Sequence, residues 1–293
     1  MSFFAKPKIV CTGFEFLEGP VWVDESSPFL AGTGARSGAL IFSDIPASRL
    51  CWFADGRTGI VREPSGKSNG NALEPSGMLV SCEHENRCVS RFEGRDAAQR
   101  LVDRYDGKRL NSPNDVAVRS DGLIFFTDPP YGVAEEDREL EFQGVFCVES
   151  DSPDPMLLND RFDKPNGLAL SPDEATLYVA DTERGHLRRF SVGPDGTLSD
   201  DRKFCDCERP DGVCVDTAGN VWVACMDGVE IFSAGGQRVG SIPLPERPAN
   251  IAFGDSDGST LYICARTSIY SVETRATGAL ARRGRSAPEA CCS

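Results

Sequence analysis

Six positions, 18, 69, 114, 166, 211 and 249, hold Glu, Asn, Asn, Asn, Asp and Ala, and each stands at or near the head of an apolar run, a turn and a second apolar run. Five of the six side chains carry oxygen. Carboxylate and amide oxygens, with no thiolate or imidazole among them, are the ligand set of a hard cation such as Ca²⁺, Mg²⁺ or Mn²⁺. Two carboxylates facing each other across a narrow space repel and raise each other's proton affinity unless a cation lies between them. Asn and Asp also start strands for purely local reasons, because they bond their own backbone. That accounts for any single one of these residues. It accounts poorly for Glu18, and it does not explain five oxygens at equivalent places.

The elements that must position them repeat. Arg209 to Gly228, RPDGVCVDTAGNVWVACMDG, is a polar pair, an alternating run, a tight turn and a returning apolar run, which is the pattern of a β-hairpin. The same template begins at Glu18, Asn69, Asn114, Asn166 and Ala249, so the spacings are 51, 45, 52, 45 and 38 residues. A propeller blade of four strands needs about 40–50. The expectation is an all-β fold, a six-bladed β-propeller of four-stranded antiparallel blades over residues 1–273 as one domain, with a disordered tail over 274–293. Radial hairpins bring all six entrances to one mouth of a central channel. Residues 9–16 are expected to close the ring by adding a strand to the last blade.

The second strand of each hairpin returns to the mouth, so Asp44, Glu83, Asp128 and Asp181 form an outer acidic ring there. Three of these read as strand caps facing solvent. Asp128 is set apart by Pro129, Pro130 and Tyr131, which fix it beside an aromatic wall. His84 follows the second strand of the second blade and is either a pocket residue or a loop histidine. The acidic stretch 134–141 reads as a mobile flap.

A formal charge of −14 disfavours nucleic acid and anionic membranes as partners, since both would repel it. No secretory leader pattern opens the chain and no run of about 18 apolar residues occurs. A soluble, cytoplasmic protein acting on a small molecule is expected. Several of the twelve Cys, including Cys147, Cys214, Cys225 and Cys264, fall in apolar runs and read as reduced core residues. Cys205 and Cys207 lack a second pair at zinc-finger spacing. Residues 66–70 match G-x-S-x-G, but a strand follows where a nucleophile elbow needs a helix.

The segments LEGPVW, NSPNDV, FTDPPYG, KPNGLALSPD and RPDGVCVD, in this order, carry a resemblance to the gluconolactonase and regucalcin (senescence marker protein) family of six-bladed propellers. The diisopropylfluorophosphatases are similar more distantly. The resemblance covers residues 13–280. It implies one divalent cation, Ca²⁺ first and Mg²⁺, Mn²⁺ or Zn²⁺ as alternatives, bound by Glu18, Asn166 and Asp211. Asn114 then completes the shell or binds substrate, and Asp211 acts as acid/base. Regucalcins carry an Arg two residues before that Asn, where this chain has Ser112. The implied activity is metal-dependent opening of a lactone ring. On the residues themselves, Asp128 is the rival to Asp211 as the proton-transferring carboxylate, and Asn69, His84 and Tyr131 are expected to contact substrate beside Asn114. The rival readings are phosphotriester hydrolysis at the same mouth and a metal-binding scaffold without chemistry.

Overall fold

The computed structural model describes residues 5–94, 98–149, 152 and 154–279. Six four-stranded antiparallel sheets follow one another along the chain. Their innermost strands are Leu17–Val23, Ser68–Leu73, Val116–Val118, Pro165–Leu170, Val213–Val215 and Pro248–Gly254. Each contacts the next, and the sixth contacts the first, so the sheets form a closed ring of six blades. A two-stranded ribbon, Arg104–Tyr105 with Lys108–Arg109, is added between the second and third blades.

The strand composition follows from where each strand lies. A second strand has a neighbouring blade on both of its faces, so it is buried along its whole length, as in Ala39–Asp44, Leu123–Asp128 and Thr260–Ala265. Such strands read as near-continuous apolar runs rather than alternating ones. The outermost strand Arg57–Arg62 lies at the rim and is mostly exposed. The cores are the interfaces between blades. Val80, Cys82 and Val89 of the second blade pack against Ile124, Phe126 and Phe146 of the third, and Phe126 stacks on Phe146 with centroids 5.2 Å apart. Every described cysteine is a free thiol, and most are buried in these cores.

Lys8–Thr12 pairs antiparallel with Ser268–Glu273 and completes the sixth blade from the other end of the chain. Removing residues 1–12 bares the edge of Ser268–Glu273. Each lost ladder bond is worth about 0.5–1.5 kcal/mol net, so a loss of roughly 2–5 kcal/mol in unfolding free energy is expected, with concentration-dependent association through the open edge. Urea unfolding and sedimentation of the truncated chain check this.

Two expectations are corrected. Residues 274–279 are not loose: Gly278 bridges to Asp216, Ala279 N donates to Val215 O at 2.9 Å, and Thr274 N donates to Ser259 O at 3.1 Å. The rest of the expected tail, 280–293, lies outside the described residues. The 134–141 stretch is tied down rather than free, because Leu140 is buried against the core of the second and third blades and Arg87 donates to Asp137 O at 3.0 Å. Among the described residues no helix is long and apolar enough to cross a membrane.

Candidate functional site

Each innermost strand begins at the channel mouth, and in four of the six a local break in the ladder follows its head. Register slips between Glu18 and Val21, Ser68 and Asn71, Pro165 and Leu168, and Pro248 and Asn250. Bulges of this kind re-aim a strand-end side chain. Asn114 and Asp211 stand just ahead of their regular strands, tied by Asn114 N to Thr127 O at 2.8 Å and Asp211 N to Ala224 O at 2.9 Å. The backbones behind the mouth are so close that four blades have room only for glycine at the next position: Gly19, Gly70, Gly167 and Gly212. A Cβ on Gly167 would lie 2.2 Å from the carbonyl oxygen of Asp211.

The third and sixth blades, opposite each other in the ring, break that rule with Asp115 and Asn250. Asn250 Nδ2 donates to Asp115 Oδ2 at 3.4 Å, and the pair spans the channel one layer below the mouth. Neither is among the entrance residues, since they stand one position after Asn114 and Ala249 respectively. The available signal was the register itself, since two polar residues occupy a position that is glycine elsewhere.

The electrostatics are those of crowded acids. Glu18 is 4% exposed, and burial first, then Asp211 and Asp115, push its carboxyl well above the usual carboxylate range. Gly19 N and the Asn250 side chain donate to it and pull the other way. Asp211 is 9% exposed and raised to about 7, chiefly by burial, against the pull of Arg247, whose Nη2 is 3.6 Å from Asp211 Oδ2. Asp115 is raised to about 6, again by burial. Asp211 Oδ1 is buried with no hydrogen-bond partner. A buried carboxylate oxygen left unpaired costs about 1–3 kcal/mol or more, so such an atom asks for a ligand.

The remaining site residues fall as follows. Asn166 is buried beside Asp211, donates from Nδ2 to Tyr131 Oη at 3.3 Å, and accepts from Thr127 through its carbonyl. Burial and the nearby Asp211 push the Tyr131 phenol up to about 12. Asn69 Nδ2 is 3.0 Å from His84 Nε2, which makes His84 a mouth residue through Asn69, and burial lowers the imidazole to about 4, so it is neutral near pH 7. Asn114 is buried at the head of the third blade, and its carbonyl accepts from Gly70 N at 2.8 Å.

Asp128 lies outside this layer. It is fully buried, Oδ2 accepts from Asn111 N at 2.7 Å and Oδ1 from Ser112 N at 2.8 Å. The solvent-facing reading of its three equivalents is corrected in the same terms. Asp44 accepts from Glu15 N and Phe16 N, Asp181 from Asp163 N, and Glu83 is buried among Arg62, Asn86 and Ser90. In three blades the second-strand acid therefore grips the backbone two or three residues ahead of the entrance residue. These acids position the mouth; they do not line it.

The arrangement suits a hard dication. Three buried acids, one with an orphaned oxygen, stand together with amide oxygens and no soft ligand among them. Among the described residues no three His, Cys, Asp or Glu side chains form a metal-binding group by themselves. A cation here depends on asparagine oxygens as well, in keeping with two Asn in the expected set of four.

The fold and site define a six-bladed propeller with an acid- and amide-lined mouth. Residues 16–267 match the model of the SMP-30/Gluconolactonase/LRE-like region, and the chain belongs to that family. It is 32% identical over 306 residues to a gluconolactonase of Zymomonas mobilis, covering 92% of this chain and 82% of that one. It is 40% identical over 266 residues to a 6-deoxy-6-sulfogluconolactonase of Pseudomonas putida, covering 87% and 85%. The solved structure of a gluconolactonase from Xanthomonas campestris superposes with a TM-score of 0.81 at 34% identity, covering 91% of this chain and 89% of that one.

Proposed function

We propose that this chain is a lactonase that opens a sugar lactone by hydrolysis, with a divalent cation, Ca²⁺ foremost, held by Glu18, Asn166 and Asp211 and completed by Asn114. The observation that carries the reading is the unpartnered Asp211 Oδ1, buried at the mouth beside Glu18 and Asn166. Relatives named for gluconolactone and sulfogluconolactone hydrolysis, covering most of both chains, support the reaction class. When bound, the cation supplies Lewis-acid polarisation of the carbonyl, worth several kcal/mol in the transition state.

The chain's own residues account for the rest. Asp211 takes the proton from the attacking water as the carbonyl carbon gains its new oxygen, and returns it to the ring oxygen as the ester C–O bond breaks. Arg247 beside Oδ2 favours the ionised form that this needs, opposing the burial that raises it. Asn69, Asn114 and His84 offer hydrogen-bonding groups, and Tyr131, bonded to Asn166, offers an aromatic wall. Asp128 is excluded from proton transfer in this account because both of its oxygens accept backbone N–H groups and none of it is exposed.

Its role is to place Asn114. Asp128→Asn therefore loses one of two backbone bonds and is expected to lower kcat about tenfold, as positioning defects do, without changing cation affinity. Loss of cation binding in this variant would show that the site depends on Asp128 directly. The lactonase reading itself is tested by following acid release from aldonolactones, aromatic lactones and phosphotriesters with added dication. Lactone cleavage that disappears in chelator supports it. Faster phosphotriester cleavage, or cation binding with no hydrolysis, would select one of the rival readings.

A further inference from the structure

The six blades share a register, so the residue two positions ahead of each entrance can be compared: Phe16, Lys67, Ser112, Lys164, Arg209 and Arg247. Four of the six are cations and none is an acid, in a chain whose formal charge is −14. Lys67, Lys164 and Arg209 adopt φ of 52°, 57° and 48°, a left-handed conformation in which glycine is the residue of least strain. Long cationic side chains stand there instead. Strained positions kept by bulky residues are informative where they gather around a site.

The charged ends of Lys164, Arg209 and Arg247 are fixed by contacts. Arg247 Nη2 is 3.6 Å from Asp211 Oδ2. Lys164 Nζ lies 5.8 Å from the centroid of the Tyr131 ring, and both Lys164 and Arg209 reach Glu183, at 2.7 Å and 3.2 Å. Glu183 offsets one of these two charges and leaves the other. Lys67 lies beside His84, whose backbone N donates to the Lys67 carbonyl at 3.2 Å. If these cations served only to neutralise the acids beneath, they would bond to them directly. Arg247 instead stops beyond hydrogen-bond distance, while Lys164 and Arg209 are held to the exposed Glu183.

We infer that the mouth selects a lactone bearing a strongly acidic oxyanion substituent, a sulfonate or a phosphate, gripped by Lys67, Lys164, Arg209 and Arg247 above the oxygen ring. This rests on the lactonase reading and narrows its substrate class. Guanidinium and ammonium groups pair with such oxyanions through charge-assisted hydrogen bonds, with a geometric match for arginine in particular.

The test compares kcat/KM for glucono-1,5-lactone with that for its 6-sulfonated and 6-phosphorylated counterparts, in the dication-loaded full chain. The anionic lactones are expected to be preferred by about tenfold or more, the scale of one charge-assisted bond, with the preference shrinking as salt is raised. Arg247→Gln and Lys67→Gln, two blades apart around the mouth, should each cut the anionic-to-neutral ratio by about tenfold. Lys67→Gln guards against the effect of Arg247 on Asp211. A larger effect on one of the two anionic lactones identifies which oxyanion the site fits. Equal or better turnover of the neutral lactone, with the ratio unmoved in both variants, would overturn this inference and leave the lactonase reading standing. Hydrolysis of no lactone would overturn both, through the parent reading.

Discussion

Asp211→Asn is expected to lower kcat/KM for lactone hydrolysis by about three orders of magnitude or more, and to weaken dication binding in the same protein. The substitution keeps the side chain's shape and its bond to Asn166 but removes the charge and the proton acceptor. Proton transfer by a positioned carboxylate contributes about 10²–10⁴ to rate, and loss of the cation's polarisation adds to that. Stopped-time acid release combined with calorimetric dication titration reads both effects. Glu18→Gln should lose cation affinity and activity together, since Glu18 is the other acid of the expected ligand set, with Asp211 and Asp115 as neighbours. An Asp211→Asn variant with wild-type turnover would remove the residue from the chemistry.

The second large effect concerns the protein without its cation. Glu18, Asp115 and Asp211 all bind protons more tightly folded than unfolded, because burial raises each of them and repulsion from neighbouring acids adds to it at Glu18 and Asp211. The folded state therefore holds more protons than the unfolded one between the ordinary carboxylate range near pH 4 and about pH 7, where Asp211 titrates. Stability falls as pH rises through that window, and what is lost is fully present only below it. For the cation-free chain the loss is expected to be on the order of a few kcal/mol. Saturating dication should remove most of the slope, since a positive charge among the three acids takes the place of the protons. Asp128, raised to about 7 by burial and bonded to backbone N–H groups rather than facing the mouth, keeps a residual slope. Thermal unfolding from pH 4.5 to 7.5, with chelator and with Ca²⁺, checks this; identical slopes in the two series would count against a cation at the mouth.

Much of the ring was legible because a propeller repeats one hairpin, and its entrance residues differ in kind from their neighbours. Glu18, Asn69, Asn114, Asn166 and Asp211 stand out in sequence and come together in space. The next layer was harder. Asp115 and Asn250 differ from Gly19, Gly70, Gly167 and Gly212 only by register, and their pairing crosses 135 residues of chain. The outer acids were located but misjudged. An acid at a strand end looks solvent-facing when the loop folded over it cannot be seen, and the loop ahead of each entrance supplies the N–H groups that bury Asp44, Asp128 and Asp181. The last strand of the ring was legible from the alternation of residues 9–16. The packing of 274–279 was not, because it rests on backbone bonds to Val215 and Ser259 that leave no mark on side-chain composition.

The most direct test of the cation-centred mouth is anomalous scattering from crystals grown with Mn²⁺, recorded at the manganese edge. A single strong peak bounded by the Glu18 carboxylate, the Asn166 amide and Asp211 Oδ1 is the expected result. Well-ordered side chains there with no peak between them, or a peak confined to another part of the molecule, would contradict it.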